Sequence, residues 1–155
     1  GSAPPARTRG LRVSVTSHTR RPVRVPGLAA WLSGAAPLRA RGEVALAFVS
    51  DGRVRALNRA HRGYDVPTDV LSFPSDEPGF LGDIVIAAGV ASRQASRAGH
   101  ALGVEARVLA LHGLLHLLGH AHETDQGQMQ RPEARLRRKA GLRAGLIERE
   151  GRRTA

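Results

Sequence analysis

Apolar side chains change their spacing several times along this chain, and each change predicts an element. RVSVTSH (12–18) alternates in steps of two, the signature of a strand with one buried face. VPGLAAWLSGAA (25–36) predicts a short helix with Trp31 and Leu32 turned inward. GEVALAFVS (42–50) reads as a mostly buried strand. Asp51 then stands where a carboxylate caps a helix, and Val54, Leu57 and Asn58 carry that helix to about Gly63. YDVPT (64–68) is a loop, DVLSFP (69–74) a strand stopped by Pro74, SDEPGF a turn, and LGDIVIA (81–87) a strand that pairs antiparallel with the one before it. Helical spacing resumes over 89–98 and 104–118, a polar loop follows at 121–128, and Pro132 suits the first turn of a last helix at about 131–141.

The order of strand, helix, strand, helix, strand, strand and helices implies an α+β fold. A small mixed β-sheet of about four strands is covered by helices in one layer system. No internal repeat and no domain boundary interrupts it. A chain of 155 residues fits a single domain, expected over 11–145, between a disordered Pro/Arg/Gly-rich arm at 1–10 and a basic tail at 146–155. Gly1-Ser2 looks like a cloning scar, and no apolar signal region follows it.

Composition narrows the chemistry. The net charge of +11 favours polyanions such as RNA, DNA or an anionic membrane, although an Arg-rich composition with Lys139 as its one lysine also fits a GC-rich genome. The absence of cysteine excludes disulfides, thiolate metal sites and cysteine nucleophiles. The apolar run near 108–118 is too short and too rich in histidine to be expected to span a bilayer.

That run holds the candidate site. HGLLHLLGHAH (112–122) places four of the chain's seven histidines in eleven positions. His112 and His116 lie one helical turn apart on one face, so their imidazoles can share an ion at about 2.0–2.1 Å each. His120 would continue that face, but it stands eight residues from His112, about 12 Å along a helix. Gly119 offers another solution: a glycine that ends the helix lets the chain fold back and bring His122 to the ion. The resulting His-x-x-x-His-x-x-Gly-x-x-His set is a zincin-like metal helix with one coordination position left for water. Zn²⁺ suits three neutral imidazoles best, with Ni²⁺, Mn²⁺ or iron as alternatives. Zinc peptidases of this spacing carry Glu directly after the first histidine, where this chain has Gly113. A phosphodiester, whose developing charge a metal and a cation stabilise together, suits the site better than a peptide. A metallopeptidase-like hydrolase, and a ribosome-associated binding protein whose metal is only structural, are the competing readings.

HGLLHLLGHAH, together with LNRAHRGYDVPTDVLSFP (57–74) and LGDIVIA (81–87), resembles the signature of the YbeY-type endoribonucleases, the bacterial rRNA maturation factors. The resemblance covers about residues 43 to 123. It implies a metal-dependent endoribonuclease specific for single-stranded RNA, acting in 16S rRNA 3′-end maturation and ribosome quality control. Its implied partners are the 16S rRNA precursor and the small ribosomal subunit, in the cytoplasm and with no membrane. It implies that His112, His116 and His122 hold the ion and that Arg62 contacts phosphate beside it. The chain departs from the pattern at His120-Ala121, where the family usually has Tyr-Asp, and at His61, where it has an aromatic before the arginine. Asp69 and Ser72 are candidates to line the cleft, and Asp83 to orient an imidazole; each is also placed where aspartate or serine serves a turn or cap. His120 is expected beside the ligands or in solvent. Met129 is expected either beneath the ion or as a plain core contact.

Overall fold

The computed structural model describes residues 10–62 and 68–125. Its elements are β1 (Leu11–His18), α1 (Leu28–Ala35), β2 (Gly42–Val49), α2 (Asp51–Arg62), β3 (Val70–Pro74), β4 (Phe80–Ala87), α3 (Ala88–Ala98) and α4 (Leu102–Asp125). The arm at 1–9, the segment 63–67 and residues 126–155, which include Met129 and the expected last helix and tail, lie outside the described residues.

Four strands form one mixed sheet in the order β1-β2-β4-β3. β1, β2 and β4 run parallel, and β3 pairs antiparallel with β4, as the hairpin reading expects. The burial of each strand follows from its place. β1 is an edge strand, and its residues alternate between partly buried and exposed. β4 lies inside the sheet, and Gly82 to Ala87 are all buried because both faces are covered. On one face Val44, Leu46, Phe48, Ile84 and Ile86 meet α1, α3 and α4. On the other, Val49, Leu71, Phe73, Val85 and Ala87 meet Val54 and Leu57 of α2. The fold is therefore α+β, with helices on both sides of a four-stranded open sheet.

Three local expectations are corrected. Trp31 packs against the core but is only partly buried, with the Arg107 guanidinium 5.5 Å from its ring centroid, whereas Leu32 is fully inside. Asp51 does not cap its own helix. Ser50 Oγ does, accepting the Arg53 N–H at 3.2 Å, while the Asp51 carboxylate accepts the Val90 N–H at 3.0 Å and a hydrogen bond from Arg93 at 2.9 Å. Asp51 thus serves the first turn of α3, 39 residues away in the chain, which the spacing of residues around it does not reveal.

The third correction concerns α4. It does not stop at Gly119 but runs on to Asp125, through what the sequence reads as a polar loop. Glycine inside a helix costs about 1 kcal/mol relative to alanine, and the hydrogen bonds of the following turn offset that. Gly99, by contrast, does end a helix: it closes α3 at φ 74°, and its N–H and that of His100 bond carbonyls of the last turn. With its extra length, Leu102–Glu123 reaches a mean hydropathy of 1.3 and is long and apolar enough to cross a membrane by length and composition alone. Ala106, Leu109, Ala110, Leu114 and Leu117 spend that apolarity in the core beneath it.

Candidate active site

α4 crosses the sheet very closely, and this sets the site. A Cβ on Gly113 would lie 2.7 Å from Ile84 Cγ2, so only glycine lets the helix descend onto β4 here. One turn on, Leu117 Cδ2 lies 2.8 Å from where a Cβ on Gly82 would stand. The glutamate of zinc peptidases has no room at position 113, a steric fact the sequence shows only as a missing base.

With Gly113 facing the sheet, His112 and His116 face outward, and both are exposed. Beside them opens a groove of about 520 Å³, lined by Ser72 and Pro74 of β3 and by Leu115, His116, Gly119, His120 and Glu123 of α4. Ser72 pairs with Ile84 in the sheet, which turns its side chain toward α4 and into the groove. His120 lines the same groove, with Nε2 3.4 Å from Oδ1 of Asp76, whose side chain is only 6% exposed. Pro74, Leu115 and Glu123 line the groove and Asp76 reaches its edge through His120, and motif reading singled out none of them. The acidic turn after Pro74 was the available signal for Asp76.

Other candidates stand elsewhere. Asp83 pairs with Phe73, whose side chain belongs to the α2 face, so the sheet lies between Asp83 and the α4 histidines. Asp69 accepts a long hydrogen bond from Gln94 Nε2 of α3 at 3.4 Å. It is not among the residues lining the groove. Arg62 ends α2, and its side chain lies outside what the structure describes. Its neighbour His61 meets the Phe73 ring edge-on at 5.5 Å. Ser72, the next residue of β3, faces the groove, so a single edge strand separates the end of α2 from the histidines.

The three-nitrogen set does not form on a continuous helix. His122 stands about 9 Å along the axis from His116 and about 120° around it. Among the described residues, no group of three or more His, Asp or Glu side chains is placed to hold one ion. The spacing of four residues keeps His112 and His116 on one face of α4, and His122 does not share that face while α4 is intact beyond Gly119. A Cβ on Gly119 would meet nothing within 4 Å, so packing does not require this glycine.

A family model described as Endoribonuclease YbeY matches residues 28–141. The Endoribonuclease YbeY of Koribacter versatilis (strain Ellin345) is 49% identical over 109 residues, covering 70% of this chain and 72% of that protein. That of Solibacter usitatus (strain Ellin6076) is 54% identical over 99 residues, covering 64% and 67%. That of Campylobacter fetus subsp. fetus (strain 82-40) is 45% identical over 118 residues, covering 75% and 88%.

Proposed function

The chain belongs to the Endoribonuclease YbeY family, which makes it a hydrolase acting on RNA, and we propose that it is a metal-dependent, single-strand-specific endoribonuclease. Its proposed role is 16S rRNA 3′-end maturation and ribosome quality control in the cytoplasm. The precursor rRNA and the small ribosomal subunit are the proposed partners.

The observation that carries this reading is the groove along α4. It is open, of a size that takes a nucleotide, and lined by His116 and His120, with exposed His112 one helical turn before His116. A single strand can lay a backbone phosphate there, whereas a stiff duplex presents its phosphates on a convex surface. The Ser72 hydroxyl is proposed to hydrogen-bond a phosphate or sugar oxygen, a role its place in the groove lining supports. Arg62 is proposed to reach round β3 and grip the phosphate with its planar fork, which matches two oxygens at once. The net charge of +11 draws the polyanion in and makes binding salt-dependent.

Zn²⁺, with Ni²⁺ or Mn²⁺ as alternatives, is the proposed cofactor. His112 and His116 supply two nitrogens as the chain stands, and His122 supplies a third when α4 opens at Gly119. The glycine at that position supports such an opening, because it weakens the helix between His116 and His122 and no neighbour demands it.

The test joins elemental analysis to a cleavage assay. Purified protein should carry about one equivalent of a transition metal and cut single-stranded RNA but not duplex. Equal cutting of both, or none, would sink the proposal. A 2′,3′-cyclic phosphate on the product would assign the attack to the 2′-hydroxyl, and a linear phosphate to water.

A further inference from the structure

The α4 side of the groove is built from two rows of residues. His116 and His120 form one row, four residues apart; Leu115, Gly119 and Glu123 form the other at the same spacing. The second row has a gap in its middle. Gly119 carries no side chain, and a Cβ there would meet nothing within 4 Å, so the gap opens into the groove. Leu115 and Glu123 stand about 12 Å apart along the helix, one toward each end of the gap. The result is a notch with the Gly119 backbone as its floor and the imidazoles of His116 and His120 along one side.

This lining is poor for a phosphate and good for a nucleobase. The chain has 24 Arg and Lys residues, yet among the described residues none of them lines the groove, and the Glu123 carboxylate repels an anion. Leu115 is 47% exposed and offers apolar surface that ion binding does not use. His120 offers a ring. Asp76 meets its Nε2 edge at 3.4 Å, which holds the imidazole by its edge and not by the faces on which a base stacks. Glu123 offers an acceptor for an amino group on a base edge, which cytosine and adenine carry and uracil lacks. Gly119 lies about 6 Å along the axis from Glu123 and about 4.5 Å from His116, so a phosphate at His116 leaves the adjoining base over the notch.

We infer that the notch over Gly119 is a nucleobase subsite. An unstacked base of single-stranded RNA enters it, lies against His120 and Leu115, and is read by Glu123, which favours a base with an exocyclic amino group over uracil. A base paired and stacked in a duplex does not enter, so the same notch selects single strands. The inference rests on the endoribonuclease reading of the groove. It belongs to the continuous helix, and is therefore a property of RNA binding that precedes any opening at Gly119.

The test is equilibrium binding of the full-length protein to short oligonucleotides, with EDTA present to keep them uncut. Oligo(C) should bind about fivefold tighter than oligo(U), and more than about tenfold tighter than a ribose-phosphate chain of the same length without bases. Gly119→Leu fills the notch from an open position on the helix, where the fold tolerates a side chain. It should weaken oligo(C) binding about tenfold and leave binding of the baseless chain within about twofold. Glu123→Gln should bring oligo(C) and oligo(U) within about twofold of each other, because an amide both donates and accepts. Equal affinity of the unmodified protein for oligo(C) and the baseless chain would overturn the subsite, as would unchanged oligo(C) binding in Gly119→Leu. A preference for oligo(C) that survives in Glu123→Gln would overturn the reading of the base edge. If the metal-loaded protein cuts no RNA while these binding differences hold, the functional reading falls and the subsite stands; cutting without base-dependent binding removes the subsite alone.

Discussion

Two glycines six residues apart on α4 have opposite surroundings. Gly113 is pressed onto Ile84, with no room for a single added carbon, while Gly119 has nothing within 4 Å of where a side chain would begin. The first glycine is demanded by packing: it lets the helix lie close enough to β4 for Leu114 and Leu117 to reach the core. The second is demanded by nothing in the folded conformation, and it weakens the helix where three histidines crowd together. Gly34 and Gly52 are equally open, so an empty surround alone does not mark a hinge; what sets Gly119 apart is its position between His116 and His122, which makes an opening of α4 there worth testing.

The largest effect that tests this contrast is Gly113→Glu. Forcing a carboxylate between α4 and Ile84 adds overpacking to an unpaired buried charge, a cost above about 4 kcal/mol that should abolish cooperative unfolding. A normal thermal transition in this variant would show that the close contact is not obligatory. His116→Ala comes next. Its side chain is exposed, so the melting temperature should stay within a few degrees, while cleavage of single-stranded RNA should fall by more than about 100-fold, beyond the usual loss for a residue that merely orients a ligand. Unfolding of that variant would favour a structural metal.

Gly119→Ala separates the two glycines most sharply. It should stabilise α4 by up to about 1 kcal/mol in denaturant unfolding, and weaken zinc uptake about fivefold because the opened helix is penalised by the same amount. A stabilised protein with unchanged zinc affinity would mean that α4 need not open. Asp76→Asn should matter least. Its contact with His120 is long at 3.4 Å, and the isosteric amide keeps the shape of the side chain, so zinc content should be unaltered and the melting temperature should fall less than in Gly113→Glu.

Much of the fold was legible because local pattern and global packing agreed. The alternation at 12–18, the stop at Pro74 and the apolar run of LGDIVIA each had one consistent meaning, and the strands stand within a residue or two of expectation. The failures came where a residue's partner is distant in the chain. Asp51 beside Val54 reads as the cap of its own helix, and nothing nearby indicates Val90. Asp83 shares a motif with Ile84, yet successive strand residues point to opposite faces, and only the pairing with Phe73 says which face belongs to α2. The groove was half legible: His116 and Ser72 were found, but Pro74 and Leu115 come together in it only through the approach of the hairpin to α4.

The sequence by itself determined the elements, the family, and the paired imidazoles of His112 and His116, because helical spacing fixes that relation in any fold. Tertiary structure alone decided which side of the sheet each polar residue faces, how close α4 lies to β4, and whether the helix ends at its second glycine. Those depend on contacts between residues far apart in the chain, and a glycine written in the sequence is the same letter whether it is squeezed by a neighbour or left in open water.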